Sequence, residues 1–168
     1  RSLNMSFEVK NSEMFGKRCF QFCGQIDEET VLPDVSDMPA DAVIDLKEVS
    51  SINSVGIRAW INWFGKFPET HFSFVNCPKA LVMQMNMVEG FLPPKHDVIT
   101  LQVPFFCEDC DEEKDVLMTV GKEIVVEGES VKLNYDKSSI CKGDCDPELD
   151  VSEVKFFRFL LTAGNKAA

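Results

Sequence analysis

Hydrophobic positions follow two periods along this chain, and their alternation predicts most of its elements. Around Ala42 to Leu46 an apolar run (Ala42, Val43, Ile44, Leu46) reads as a buried strand. A short loop follows, then a turn of small residues, Asn53-Ser54-Val55-Gly56, which opens a helix over 54–66. Ile57, Trp60, Ile61 and Phe64 fall at i, i+3, i+4 and i+7, a buried stripe at helical period, and Pro68 lies beyond its end. Such a strand–turn–helix leaves N–H groups unpaired at the helix start, where a partner or an anion can bind. Upstream, Phe7 and Val9 alternate with polar neighbours in Met5 to Lys10. Phe20 and Phe22 face opposite to Cys19, Gln21 and Cys23 in Arg18 to Ile26, so these two segments read as a hairpin. Asp27 to Asp41 is acidic, carries two prolines and has no period, which predicts a loop.

Downstream, His71 to Asn76 alternates as a strand. Pro78 starts a helix whose buried stripe is Leu81, Val82, Met85 and Val88, and Gly90 stands where a cap belongs. Val98 to Val103 is a further strand. A βαβαβ succession with short crossovers implies parallel neighbours with helices packed on the sheet, so the expected class is α/β.

The strand–loop–turn–helix from Ala42 to Ile57 resembles the core of a STAS domain, the fold of bacterial anti-sigma-factor antagonists, whose usual pattern ends in Asp-Ser-Ser-Gly-Leu. The likeness covers roughly residues 5 to 103. It implies a mixed sheet with helices packed on it and a regulatory role through binding a protein partner, an anti-sigma factor or related regulator. Aligned on Gly56, Asn53 stands at the family's Asp and Ser54 at its first Ser, so Val55 falls on the usual phosphate acceptor. Val55 has no hydroxyl, and no switch is expected there. Ser54 is left as a weaker phosphorylation candidate, with Ser50 or Ser51 behind it.

The pattern changes at Pro104. From Pro104 to Asp150 there are 14 acidic and 5 basic residues, and the apolar runs become short and β-branched. Val116 to Val120, Ile124 to Val126 and Val131 to Leu133 read as short strands with Gly121 and Gly128 at the turns. Val151, Val154, Phe157 and Leu161 make one helical stripe, extended by Phe156, Phe159 and Leu160, before the tail Thr162 to Ala168. The expected division is therefore 1–103, a STAS-like domain, and 104–168, a small β module with a C-terminal helix. A unit with so little core needs a cross-link.

Four of the seven cysteines supply one. Cys107 and Cys110 in CEDC, and Cys141 and Cys145 in CKGDC, bracket the small strands, and each short loop can present two thiolates to one tetrahedral zinc. The arrangement resembles a zinc ribbon with a structural zinc. Free thiols or two local disulfides are the alternatives at this stage. A redox role for CEDC is opposed by Glu108, Asp109 and Asp111, whose charge raises thiol pKa values. Cys19, Cys23 and Cys77 lie in or beside apolar strands, where cysteine acts as a small hydrophobe. An odd count with clustered pairs suits a reducing compartment, so a cytoplasmic protein is expected.

Composition narrows the function. With 45% hydrophobic residues and 14 Phe among 168, the chain can build a core. A net charge of −11 disfavours nucleic acid and anionic membrane surfaces, and no apolar run approaches the ~20 residues that span a bilayer. His71 and His96 stand in no triad-like spacing, Asp45 and Glu48 read as solvated or capping groups, and no glycine-rich phosphate loop is present. The expectation is a non-enzymatic regulatory interaction module. A thiol redox protein and a nucleic-acid-binding ribbon are the other readings. Asn53, Ser54, Arg58 and Trp63 outline the expected contact patch for a protein partner or a second copy of the chain, with Trp63 at the edge of the buried stripe and partly exposed.

Overall fold

The computed structural model describes residues 6–161, so Met5 and the tail from Thr162 lie outside the described residues. The protein is mixed α/β, with a mixed sheet and, among the described residues, three α-helices. Strands β1 (Glu8–Met14) and β2 (Lys17–Ile26) form an antiparallel hairpin through Phe15 and Gly16, both at positive φ. β1 lies further along the chain than the alternation of Phe7 and Val9 predicts. An edge strand has no partner to bury its second half, and Asn11, Ser12 and Glu13 are accordingly polar.

β3 (Asp41–Ile52), β4 (His71–Val75) and β5 (His96–Val98) continue the sheet in the order β1-β2-β3-β4-β5, each parallel to the strand before it from β3 on. Helices α1 (Ser54–Phe64) and α2 (Lys79–Met87) pack on one face. That face presents Phe20, Phe22, Ile44, Phe72 and Phe74 to them. The other face carries a smaller apolar group, Cys19, Val43 and Val75.

The buried stripe of α1 is rotated from the expected one. Gly56, Trp60, Trp63 and Phe64 are buried, while Ile57 and Ile61 are only half-buried. The cause lies at the helix start. Asn53 donates its N–H to the Ile26 carbonyl at 3.1 Å, and a Cβ on Gly56 would stand 2.0 Å from that same oxygen. Only glycine lets the helix sit this close to the end of β2, and this contact sets its rotation. Trp63, expected at the edge, is instead 2% exposed: its Nε1–H donates to the Pro33 carbonyl at 2.8 Å, and its ring meets Phe20, Phe22 and Phe67 edge-on. The acidic loop after β2 supplies that cover, which periodicity within α1 cannot reveal.

β6 (Thr100–Cys107) follows β5 after one residue, and Pro104 sits within it, so the expected boundary at 103/104 falls inside a strand. The start of β6 touches the sheet through a bridge between Leu101 and Cys77. Its whole length pairs antiparallel with β7 (Glu112–Thr119), and its end pairs with β10 (Glu148–Leu149). β8 (Ile124–Glu127) and β9 (Ser130–Leu133) make a separate hairpin. A single apolar cluster runs from Trp60 and Phe74 through Leu101, Phe105, Met118 and Ile124 to Phe156, Phe157, Phe159 and Leu160.

The C-terminal stripe also differs from expectation. Instead of one long helix there is a single turn, α3 (Glu153–Phe156), and then a 3-10 turn, Arg158–Leu161. Val154 is 74% exposed and Leu161 is exposed as well, while the four residues Phe156, Phe157, Phe159 and Leu160 are buried. Asn86 of α2 causes this. Its Nδ2 donates to the Phe156 carbonyl and its Oδ1 accepts from the Phe159 N–H, both at 2.8 Å, so the backbone is held by a side chain where a helix would hold itself.

Candidate metal centre

Strand register builds the cysteine cluster. Cys107 is the last residue of β6, and the tight turn from Glu108 to Asp111 carries Cys110 back over it, with Asp111 at φ 56° closing the turn. On the other side, a 3-10 turn (Lys137–Ser139), capped by the Asp136 carboxylate, ends just before Cys141. Gly143 at φ 67° turns the chain toward Cys145, and then β10 pairs Glu148 with Phe106 and Leu149 with Phe105. That pairing lays the second loop beside the first. The Asp146 N–H donates to Asp109 at 3.3 Å, and Lys137 pairs with Asp146 across the second loop.

The four sulfur atoms lie within 4.8 Å of one another, with Cys110 Sγ 3.7 Å from Cys141 Sγ and 3.5 Å from Cys145 Sγ. A tetrahedral ion held by thiolates at about 2.3 Å separates its sulfurs by roughly 3.8 Å, so the cluster has the size of a metal site. All four cysteines are free of disulfides, and together they can hold a metal ion. Cys107 and Cys141 are buried beneath, Cys145 is half-buried and Cys110 is exposed.

The electrostatics already favour a thiolate. Burial pushes the Cys107 thiol up, but hydrogen bonds from the Cys110 backbone and from the other three thiols outweigh it, and its pKa falls below the ordinary value. Cys141 is raised to about 11, first by burial and then by its hydrogen bonds to Cys107 and Cys110. Cys145 is raised too, chiefly by its hydrogen bond to Cys110. Cys107 is thus the easiest of these thiols to ionise, with its neighbours placed to donate to it. A bound cation would take the place of those protons, which makes binding proton-linked. Lys114 was not foreseen in the sequence; its ammonium pairs with Glu112 at 3.2 Å and feels the sulfurs of Cys141 and Cys110, so it offsets the charge of a tetrathiolate.

The residues expected to bind a partner separate into two groups. Asn53, Ser54 and Arg58 are exposed at the start of α1, whereas Trp63 is in the core and leaves the patch. Asn53 caps the helix, its Oδ1 accepting from the Gly56 N–H at 2.8 Å, while its Nδ2 donates to Glu28 at 2.9 Å. Ser54, the phosphorylation candidate, is the first helical residue, and Val55 beside it is 44% exposed. A buried polar group escaped the sequence. Asp45, expected as a solvated or capping group, is buried and accepts from Gln21 Nε2 (3.3 Å), Asn76 Nδ2 (2.9 Å) and the Lys47 N–H (3.0 Å). Its signal was Asn76, whose φ of 56° is a conformation that asparagine tolerates and that aims its amide back across the sheet. Among the described residues no helix is long and apolar enough to cross a membrane. Comparison with known protein families, with curated proteins and with solved structures brings no match for this chain.

Proposed function

We propose that this chain is a non-enzymatic regulatory module of the STAS type that binds a protein partner, an anti-sigma factor or related regulator, through the start of α1, and that one structural zinc braces its far end. The observation that carries the reading is the helix start itself. Ser54, Val55 and Arg58 are exposed on a backbone fixed by the Asn53 cap, the Glu28 contact and the Gly56 approach to Ile26. A rigid, exposed turn carrying an apolar and a cationic side chain loses little entropy on binding, which favours recognition by a protein. The order of elements supports the likeness as well, since α1 leaves the end of β3 beside β2 in a mixed sheet. Val55 in place of a hydroxyl makes this a module without a phosphate switch at that position.

Zinc fits the second part of the proposal because four thiolates complete a tetrahedron and leave no position open for substrate, the pattern of a structural site. The test uses the whole protein. Arg58→Ala and Val55→Asp together should abolish capture of the native partner while the melting temperature stays that of the parent. Unchanged capture would place the binding surface elsewhere. Metal analysis should find one zinc per chain; metal-free protein with a Cys107–Cys110 disulfide would favour the thiol redox reading instead.

A further inference from the structure

β1 is an edge strand, and its side chains are complementary to themselves. At the other edge of the sheet β5 is only three residues long and the chain passes straight into β6, so β1 is the longer edge. Among the described residues β1 pairs with β2 alone, over seven residues from Glu8 to Met14. Its two faces differ. Phe7 and Val9 lie on the helix-covered face, Phe7 edge-on to Phe22 at 5.7 Å and Val9 opposite Phe22. Glu8 and Lys10 lie on the open face as an exposed ion pair at 3.8 Å.

From this we infer that β1 pairs antiparallel with β1 of a second copy of this chain, about a two-fold axis through Val9 normal to the sheet. A two-fold in that orientation keeps each face of the sheet on its own side, so only residues of equal parity can meet. With Val9 on the axis, Val9 meets Val9, Phe7 meets Asn11, and Glu8 meets Lys10 twice. The neighbouring registers oppose like charges: an axis through Glu8 sets Glu8 against Glu8, and one through Lys10 sets Lys10 against Lys10. Cross-strand pairs of opposite charge stabilise a sheet and like pairs destabilise it, so the charges select this register.

The surroundings strengthen the selection. Glu8, Cys23 and Glu48 lie in one row across β1, β2 and β3, with two carboxylates and no cation among them. An incoming Lys10 extends that row beside Glu8 and meets the field of Glu48 as well. The dimer so formed is a continuous ten-stranded sheet with its helices on one face. The inference is independent of the partner surface on α1, which lies on the helix side.

Sedimentation of the intact, metal-loaded protein tests it. The parent should show a concentration-dependent dimer. Lys10→Glu replaces both attractive pairs by repulsive ones and should raise the dissociation constant by about 30-fold, taking a few tenths to one kcal/mol for each pair. The double exchange Glu8→Lys with Lys10→Glu should bring it back to near the parent value. Lys122→Glu, the same change in net charge at an exposed turn, should leave it unaltered. A parent that stays monomeric at all concentrations, a dimer indifferent to Lys10→Glu, or a double variant that fails to recover would each overturn the inference.

Discussion

At Gly56 and at His96 a single atom bears on local stability. A methyl group at Gly56 would stand 2.0 Å from the Ile26 carbonyl, and backbone cannot rotate away as a side chain can. Gly56→Ala should therefore cost about 3 kcal/mol in denaturant unfolding. In the sequence this glycine was visible as part of a turn, but the oxygen it accommodates lies 30 residues earlier and no local pattern points to it. His96 is buried, its Nδ1–H donating to the Pro93 carbonyl at 2.6 Å, while Nε2 has no hydrogen-bond partner among the described residues. Burial lowers its pKa below the ordinary 6.5. The unfolded chain thus binds a proton more readily than the folded one. His96 contributes full stability above pH 6.5, and that contribution is lost as pH falls through the lower, folded value. Unfolding free energy measured from pH 8 to pH 5 should fall less steeply in His96→Gln than in the parent.

At the scale of elements, strands with strict alternation and helices with flanking prolines were legible, and boundaries set by distant partners were not. β8 and β9 match the β-branched runs and their glycines, because hairpin turns are local chemistry. α1 was legible as a helix, yet its buried face was misjudged by one position, since Trp63 owes its burial to Pro33 and not to its own helix. β6 was cut at Pro104 because the charge and the apolar pattern change there; in the structure the Pro104 carbonyl accepts from the Asp150 N–H at 2.9 Å and the strand continues. The C-terminal segment depends on Asn86 in the same way. Asn86→Ala removes two part-buried hydrogen bonds and should destabilise the protein by about 2 kcal/mol, with faster amide exchange confined to 153–161 and α2.

At the scale of the whole molecule, the larger apolar cluster among the described residues spans both the five-stranded sheet and the cysteine-bearing strands. From the sequence, the shift in charge at Pro104 pointed to two parts, because charge patterns report the surface while the core that joins them is assembled from scattered residues such as Phe74, Phe105 and Phe157. The cysteines were legible because their spacing is itself local, but the strand pairing that brings the two loops together was not. A shared core predicts a single cooperative thermal transition, with and without metal. With the proposed zinc bound, a chelator should lower that one transition by several degrees in calorimetry, and the shift should grow as pH rises from 6 to 8, since protons compete with a cation for the sulfurs.

The grip of Asn86 on residues made 70 positions later also bears on how the chain is born. A ribosome delivers residues in order, so the groove beside α2 is complete long before Phe156, Phe157, Phe159 and Leu160 exist to fill it. Until then the nascent protein carries an open apolar seam that a holding chaperone would recognise. A chain stopped at Asp150 should bind a hydrophobic dye strongly and aggregate, and adding the missing segment back as a peptide should quench the dye.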